Sequence, residues 1–463
     1  MPGIMGTPVR HPWRPAVALA VALVAGGAGT LVAQPRTPAQ DAARVRQAFL
    51  HAWDGYVQYA WGHDELRPLA RGSRDWYAAS LEMTPLDAFD TMLLMGLREQ
   101  AARAKRLILD SLSFDRDFPV QVFEVTIREL GGLLSAYQMD GDPRFLALAR
   151  DLGKRLLPAF ASRTGMPYRF VNLRTGAVTG PVSNPAEIGT LTLEFGTLAR
   201  LTGDVRYYDA VKRAVTALFE RRSSVGLVGS TINVETGAWV DRDSHITGGI
   251  DSYYEYLLKA WLLFRDPDYK RMWDSSIAAV NRYLADERAG LWYGHANMDT
   301  GERTQPYFGA LDAFFPAVLA RSGDIRRAAR LMGSVYRMWT TFGIEPELLD
   351  YFTMQPVEAG YELRPEALES AYYLYRLTGE ARYRDMGRVM VDSLLHYTRA
   401  ETGFTALASV VTKQPRDAME SFFLAETLKY AHLLFAPPAT LDFDAIVFNT
   451  EAHPLRPTWS RSP

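Results

Sequence analysis

Cysteine is absent from all 463 residues, which excludes disulfides and a lipid-modified cysteine anchor. Long Lys/Arg runs are also missing. Fifty-one basic against 53 acidic residues leave a formal charge of −2, so the basic groove that a nucleic acid needs is not encoded. The eight histidines contain no HExxH spacing, and no GxSxG elbow, Walker loop or GxGxxG after a strand occurs. Hydrolytic zinc, serine-esterase and nucleotide chemistry therefore lack their motifs. Strand-like alternation is rare, and no Pro/Ser-rich linker divides the chain.

What is present is a folding chain: 48% hydrophobic and 22% charged residues give ample material for a large core. At the N-terminus Arg10, His11 and Arg14 precede "PAVALAVALVAGGAGTLVAQP", a positive flank and an Ala/Val/Leu run ending in small residues. Residues 1–33 are read as a secretory signal. The competing reading is a retained anchor, for which the run is borderline against a span of about 20 residues. A bacterial periplasmic or secreted protein, without stable membrane association once the signal is cleaved, is the expectation.

Five segments share one plan: "MDGDPRFLALA" at Met139, "LTGDVRYYDAV" at Leu201, "FRDPDYKRMW" at Phe264, "RSGDIRRAARL" at Arg321 and "LTGEARYRDMG" at Leu377. Each joins an apolar helix tail, a tight Gly/Pro/Asp turn and a new amphipathic helix, at a period of roughly 55–65 residues. The helix before each turn, as in "SYYEYLLKAWLLF", is apolar on most faces. The helix after it carries a polar stripe. Alternating inner and outer helices predict an all-α fold, one closed α/α toroid over residues 41–463.

Acids fall at repeated places on this plan. Glu124, Glu187, Asp251 and Glu366 each stand where a loop becomes an inner helix, and Asp87, Asp90, Glu420 and Glu426 follow the same pattern. The helix dipole accounts for any one of them. It does not account for the set, whose members would meet at one mouth of the barrel with their charges in conflict. Arg128, four residues after Glu124, can pair with a carboxylate or donate to hydroxyls. Phe422, four before Glu426, offers an apolar platform beside an acceptor, as a sugar ring requires. Paired carboxylates around a sugar site indicate glycoside hydrolysis.

The segments "FEVTIRELGGLLSAY", "DSYYEYLLKAW", "LRPEALES", "ESFFLAETLKY" and "VFNTEAHPLRP" resemble, in order, those of glycoside hydrolase family 47, the class I α-1,2-mannosidases. The resemblance runs from about Trp53 to Pro457. It implies an (α/α)7 barrel and a calcium-dependent, inverting enzyme that removes terminal α-1,2-linked mannose from mannosides or high-mannose glycans as a monomer. Glu124 would match the general acid, acting through a water, and Glu366 the base. Asp251 matches a further catalytic carboxylate whose claim to the base role stays open. Thr450 would bind Ca2+ with side-chain and backbone oxygens. Glu187, Glu369, Glu426 and Glu451 would surround the ion and sugar, with Arg128 and Arg364 offsetting their charge.

Two departures touch the walls of that site. Ala310 stands where eukaryotic members carry a histidine, with Asp312 nearby, and Gly249 stands where endoplasmic-reticulum members carry an arginine. Branch preference is thereby left open. Two other readings compete: a non-catalytic mannose-glycan-binding protein on the same scaffold, and a six-fold α/α toroid such as a sugar epimerase or glucan hydrolase. The joint presence of Glu124, Asp251, Glu366 and Thr450 argues against the first. The "FNTEAHP" ending argues against the second.

Overall fold

The computed structural model describes residues 36–457; the segment read as a secretory signal lies outside them. Among the described residues, no helix is long and apolar enough to cross a membrane. The first helix, Pro38–Tyr59, starts three residues before the expected domain edge at Asp41. Thr37 accepts from the Gln40 amide while the Gln40 side chain accepts from the Thr37 amide, a reciprocal cap that fixes where it begins.

Helices alternate between an inner and an outer ring. The inner positions are Met83–Asp87 with Phe89–Leu94, Val122–Val125 continuing to Gly131–Asp140, Pro185–Gly189 with Thr192–Thr202, Asp251–Phe264, Phe315–Ser322, Glu366–Thr378 and Leu428–Phe435. The outer helices are Arg98–Ser111, Pro143–Leu156, Val205–Glu220, Pro267–Tyr283, Ile325–Phe342, Ala381–Tyr397 and, closing the ring, Pro38–Tyr59, which packs on Leu428–Phe435. Each inner helix touches the next, and the last returns to Phe89–Leu94 through the turn Phe423–Thr427. This is an (α/α)7 barrel.

Burial explains the two rings. Asp251–Phe264 buries residues on all sides, whereas Ile325–Phe342 buries Ala328, Leu331, Met332, Val335, Met338 and Trp339 along one stripe, the spacing of a helix with one wet face. The five signature turns join inner to outer helices as expected. Gly141, Gly203, Gly323 and Gly379 adopt positive φ of 72° to 100°, and Arg265 does the same at 58°. Asp142, Asp204, Asp266 and Asp324 then accept an amide hydrogen bond at the next helix start. A left-handed residue ends one helix and a carboxylate starts the next.

The opposite, outer-to-inner connections are longer and hold short strands that sequence reading underestimated. Three-stranded sheets unite Pro119–Gln121, Phe170–Asn172 and Val178–Thr179; Val182–Ser183, Thr231–Asn233 and Trp239–Asp241; and Tyr307–Gly309, Leu348–Asp350 and Gln355–Glu358. At two to four residues each, these strands show too little alternation to register. Together they build the rim around the acid-bearing helix starts.

Candidate active site

One cavity of about 400 Å³ opens at that rim. Its lining includes Glu124, Arg128, Glu187, Asp251, Arg364, Glu366, Glu369, Phe422, Glu426, Thr450 and Glu451. Eleven of the residues singled out from the sequence therefore face a common space, supplied by five inner-helix positions and the C-terminal segment, whereas Asp87, Asp90 and Glu420 do not line it.

The inner helix bearing Glu124 is not regular. Between Val122–Val125 and Gly131–Asp140 the chain makes a π turn, Thr126–Leu130, and a second π turn, Phe423–Thr427, carries Glu426. Such one-residue insertions re-aim side chains and gather at functional sites. Here Arg128 leaves the first π turn and donates from Nε to Glu124 Oε2 at 3.0 Å and from Nη1 to Glu451 Oε2 at 2.7 Å. Asp87 lies 3.7 Å away. The guanidinium also sits over the Trp76 and Phe422 rings, 5.1 and 5.8 Å from their centroids.

Arg364 forms a bidentate pair with Glu347, Nη2 donating to Oε2 at 2.8 Å and Nε to Oε1 at 3.2 Å, and lies 5.5 Å from the Phe422 centroid. Phe422 is 7% exposed, so it serves the core and the cavity wall together. Glu187 is held by Gln121 at 2.8 Å, Ser183 at 3.0 Å and Arg169 at 3.0 Å. Asp251 Oδ1 accepts from the Ser252 amide at 2.7 Å. Glu366 Oε2 is buried without a hydrogen-bond partner.

The C-terminal segment reaches the cavity from inside the barrel. Val447–Phe448 pairs with Pro454–Leu455, and the turn between them carries Thr450 and Glu451. Asn449 holds that turn: its Nδ2 donates to the Ile127 carbonyl at 2.8 Å and to Glu194 at 2.9 Å, while its Oδ1 accepts from the Glu451 and His453 amides. Below, His453 Nδ1 meets Asp90 at 2.7 Å, and Lys429 bridges Asp90 and the Ala452 carbonyl. Asp87 and Asp90, noted from the sequence as helix-start acids, thus anchor the floor instead of lining the cavity. The Tyr256 hydroxyl accepts from the Thr450 amide at 3.1 Å.

Charge is unbalanced. Eight carboxylates (Glu124, Glu187, Asp251, Glu255, Glu366, Glu369, Glu426 and Glu451) face three guanidiniums, Arg128, Arg169 and Arg364. Burial pushes Asp251 up to about 7 and raises Glu366 well above the carboxylate range despite Arg364. Glu369, Glu426 and Glu451 are raised too, chiefly by burial. Such a set calls for a cation with oxygen preference. Thr450 with Glu369, Glu426 and Glu451 supplies oxygen donors only, as a hard divalent ion requires.

Sequence reading missed Glu255, Arg169, Gln121, Asn184 and the buttress Glu347. Glu255 had a legible signal, since it stands four residues after Asp251 on the same helix face; its carboxylate pairs with the buried Lys259. Arg169 and Glu347 come from rim connections, where no periodicity marks them.

The glycosyl hydrolase family 47 model matches residues 48–457. The chain is 39% identical over 442 residues to alpha-mannosidase I MNS5 of Arabidopsis thaliana, covering 89% of this chain and 76% of that protein. It is 39% identical to the human ER degradation-enhancing alpha-mannosidase-like protein 2, covering 91% and 78%. It is 38% identical to the human endoplasmic reticulum mannosyl-oligosaccharide 1,2-alpha-mannosidase, covering 90% and 64%. The solved structure of an alpha-1,2-mannosidase from Trichoderma reesei superposes with a TM-score of 0.84 at 28% identity, covering 91% of this chain and all of that one. A cellobiose 2-epimerase from Spirochaeta thermophila, at 14% identity, coverage of 86% and 94%, and a TM-score of 0.55, shares the toroid fold alone.

Proposed function

The chain belongs to glycosyl hydrolase family 47 and is a glycoside hydrolase, and from that premise we propose that it is an exo-acting, calcium-dependent α-1,2-mannosidase that inverts the anomeric centre. The substrate class is a terminal α-1,2-linked mannose on a mannoside or high-mannose glycan. The observation that carries this reading is the convergence of Glu124, Asp251, Glu366 and Thr450 on one carboxylate-rich cavity with an aromatic wall.

Each residue then has a task. Glu124, steered by Arg128, delivers a proton through a water to the glycosidic oxygen as the C1–O bond breaks. Glu366 takes a proton from the water whose oxygen attacks C1 from the opposite face. Asp251 lies at the start of the inner helix Asp251–Phe264 and is the second candidate for that role. An inverting pair requires carboxyls roughly 6.5–9.5 Å apart, with the attacking water between. Phe422 offers an apolar face to the ring, and Arg364 partly neutralises Glu366.

Thr450, through Oγ1 and its carbonyl, would hold calcium, with Glu369, Glu426 and Glu451 around it by way of waters. When bound, the ion supplies positive charge and oxygen coordination that orient the sugar hydroxyls. Gly249 shapes the wall: at φ of 93°, a Cβ there would meet only Asn184, at 3.8 Å. The opening left without an arginine favours tolerance of several glycan branches. For location, we favour export by way of residues 1–33.

A panel of α-1,2-, α-1,3- and α-1,6-mannobiose assayed for free mannose tests the reading. Release from the α-1,2 disaccharide alone, abolished by chelation and restored by calcium, is expected. Release from the other linkages at equal rates contradicts it.

A further inference from the structure

A second cluster of ligating side chains lies outside the cavity, in the rim. Strand Asp243–Ser244 pairs antiparallel with Ala296–Asn297, Ala296 opposite Ser244 and Asn297 opposite Asp243. Continuing that register places His295 opposite His245, and the two-residue alternation of a strand puts Asp243 on the same face as His245. The side chains agree. The imidazole centroids are 4.6 Å apart at 33°, and His295 Nδ1 lies 2.6 Å from Asp243 Oδ2. One ligand atom from each of the three residues falls within 4.8 Å of the other two.

Two ring nitrogens in this cluster, His245 Nδ1 and His295 Nε2, are buried without a hydrogen-bond partner. Buried imidazole nitrogens ordinarily find one, because an unmet polar atom costs about 1–3 kcal/mol. Asp243 is already positioned by Thr304, whose Oγ1 donates to its other carboxylate oxygen at 3.0 Å. One buried imidazole, a second that is 12% exposed and an oriented carboxylate facing one another make the donor set of a borderline divalent ion.

We propose that Asp243, His245 and His295 form a binding site for a zinc-class transition-metal ion, separate from the oxygen-only site at Thr450. The nitrogen donors decide the class: Zn2+ and Co2+ take imidazole readily, whereas calcium and magnesium take oxygen. Bonds of about 2 Å in tetrahedral array need ligand atoms a little over 3 Å apart, so small side-chain rotations close the cluster.

The site has a structural consequence. His245 belongs to the connection that runs through Gly248 and Gly249, both lining the cavity, into Asp251. His295 belongs to the next connection, fifty residues on. An ion held by both clips two rim segments together and fixes one wall of the sugar site, adding to the two-residue strand pair and the Asp243–His295 and Asp243–Thr304 contacts that already join them.

Titration of the chelator-stripped, full chain with Co2+ tests this, read by visible absorption of the bound ion. One Co2+ per chain with strong ligand-field bands is expected, displaced by Zn2+ and not by excess Ca2+. Loss of an outer partner alone weakens metal sites about 10–100-fold, so His295→Ala and Asp243→Asn should each weaken binding at least about 100-fold. Thr450→Ala should leave the bands unchanged. Zn2+ should raise the Tm of the wild type and not that of His295→Ala. A wild-type chain that develops no bands overturns the proposal whatever the variants do. Bands that persist in both rim variants, or that calcium removes, overturn it equally.

Discussion

Glu124 and Glu366 enter the same cavity from different settings: one shares an oxygen with Arg128, and the other keeps Oε2 buried without a partner. Glu124→Gln preserves size and hydrogen bonding to Arg128 but removes the proton. It should fold with an unchanged Tm and bind calcium normally, while kcat falls about 10²–10⁴-fold, as steady-state kinetics beside a calcium titration would show. Wild-type turnover would remove Glu124 from the acid role. Arg364 acts on Glu366 by lowering its proton affinity against burial. Arg364→Met should therefore move the acidic limb of the kcat/KM–pH profile to higher pH, because the base must lose its proton at a higher value. It should also lower Tm, since Glu347 loses its bidentate partner. Residues of this kind were legible because acids recur at helix starts. Glu347 and Arg169 were not, because their connections have no period to stand out from.

At the scale of elements, the helix turns were readable for a chemical reason. A left-handed glycine followed by a capping aspartate is a local signal that survives in sequence, as at Gly141–Asp142 and Gly323–Asp324. The π turns at Thr126–Leu130 and Phe423–Thr427 left no such mark, since tertiary contacts and not propensity select them. The C-terminal hairpin was legible only by resemblance. Its seating is steric: a Cβ on Gly131 would fall 2.6 Å from Asn449 Nδ2. Gly131→Ala should push Asn449 and the Thr450 turn out of place, at a cost of about 1–3 kcal/mol for overpacking. Calorimetry should show weakened calcium binding together with a lower Tm. Normal calcium affinity in this variant would uncouple the hairpin from the ion.

Over the whole molecule, the closed ring concentrates acids faster than it supplies bases, and stability without calcium should record this. Burial lifts Glu82, Asp251 and Asp312 to about 7. The folded state then holds protons that the unfolded chain releases near pH 4, so the contribution of these groups falls as pH rises from about 4 to about 7. Asp90 has the opposite sign: the Lys429 and His453 charges outweigh burial and hold it at about 2, so its contribution is lost only below the ordinary aspartate range. The Tm of the chelated protein should decline between pH 4 and 7, and the gain in Tm on adding calcium should grow over the same interval. A calcium gain independent of pH would detach the ion from the carboxylate ring. Ring closure itself was foreseeable from the alternation of apolar and amphipathic helices, whereas its seven-fold count followed from the family segments.

The stereochemistry of the first sugar released tests the central claim most directly. A proton NMR time course of α-1,2-mannobiose hydrolysis, followed before mutarotation erases the record, should show β-mannose appearing first in the presence of calcium and no release after chelation. Early α-mannose would mean a retained configuration and contradict the assignment of Glu124 and Glu366 as an inverting pair.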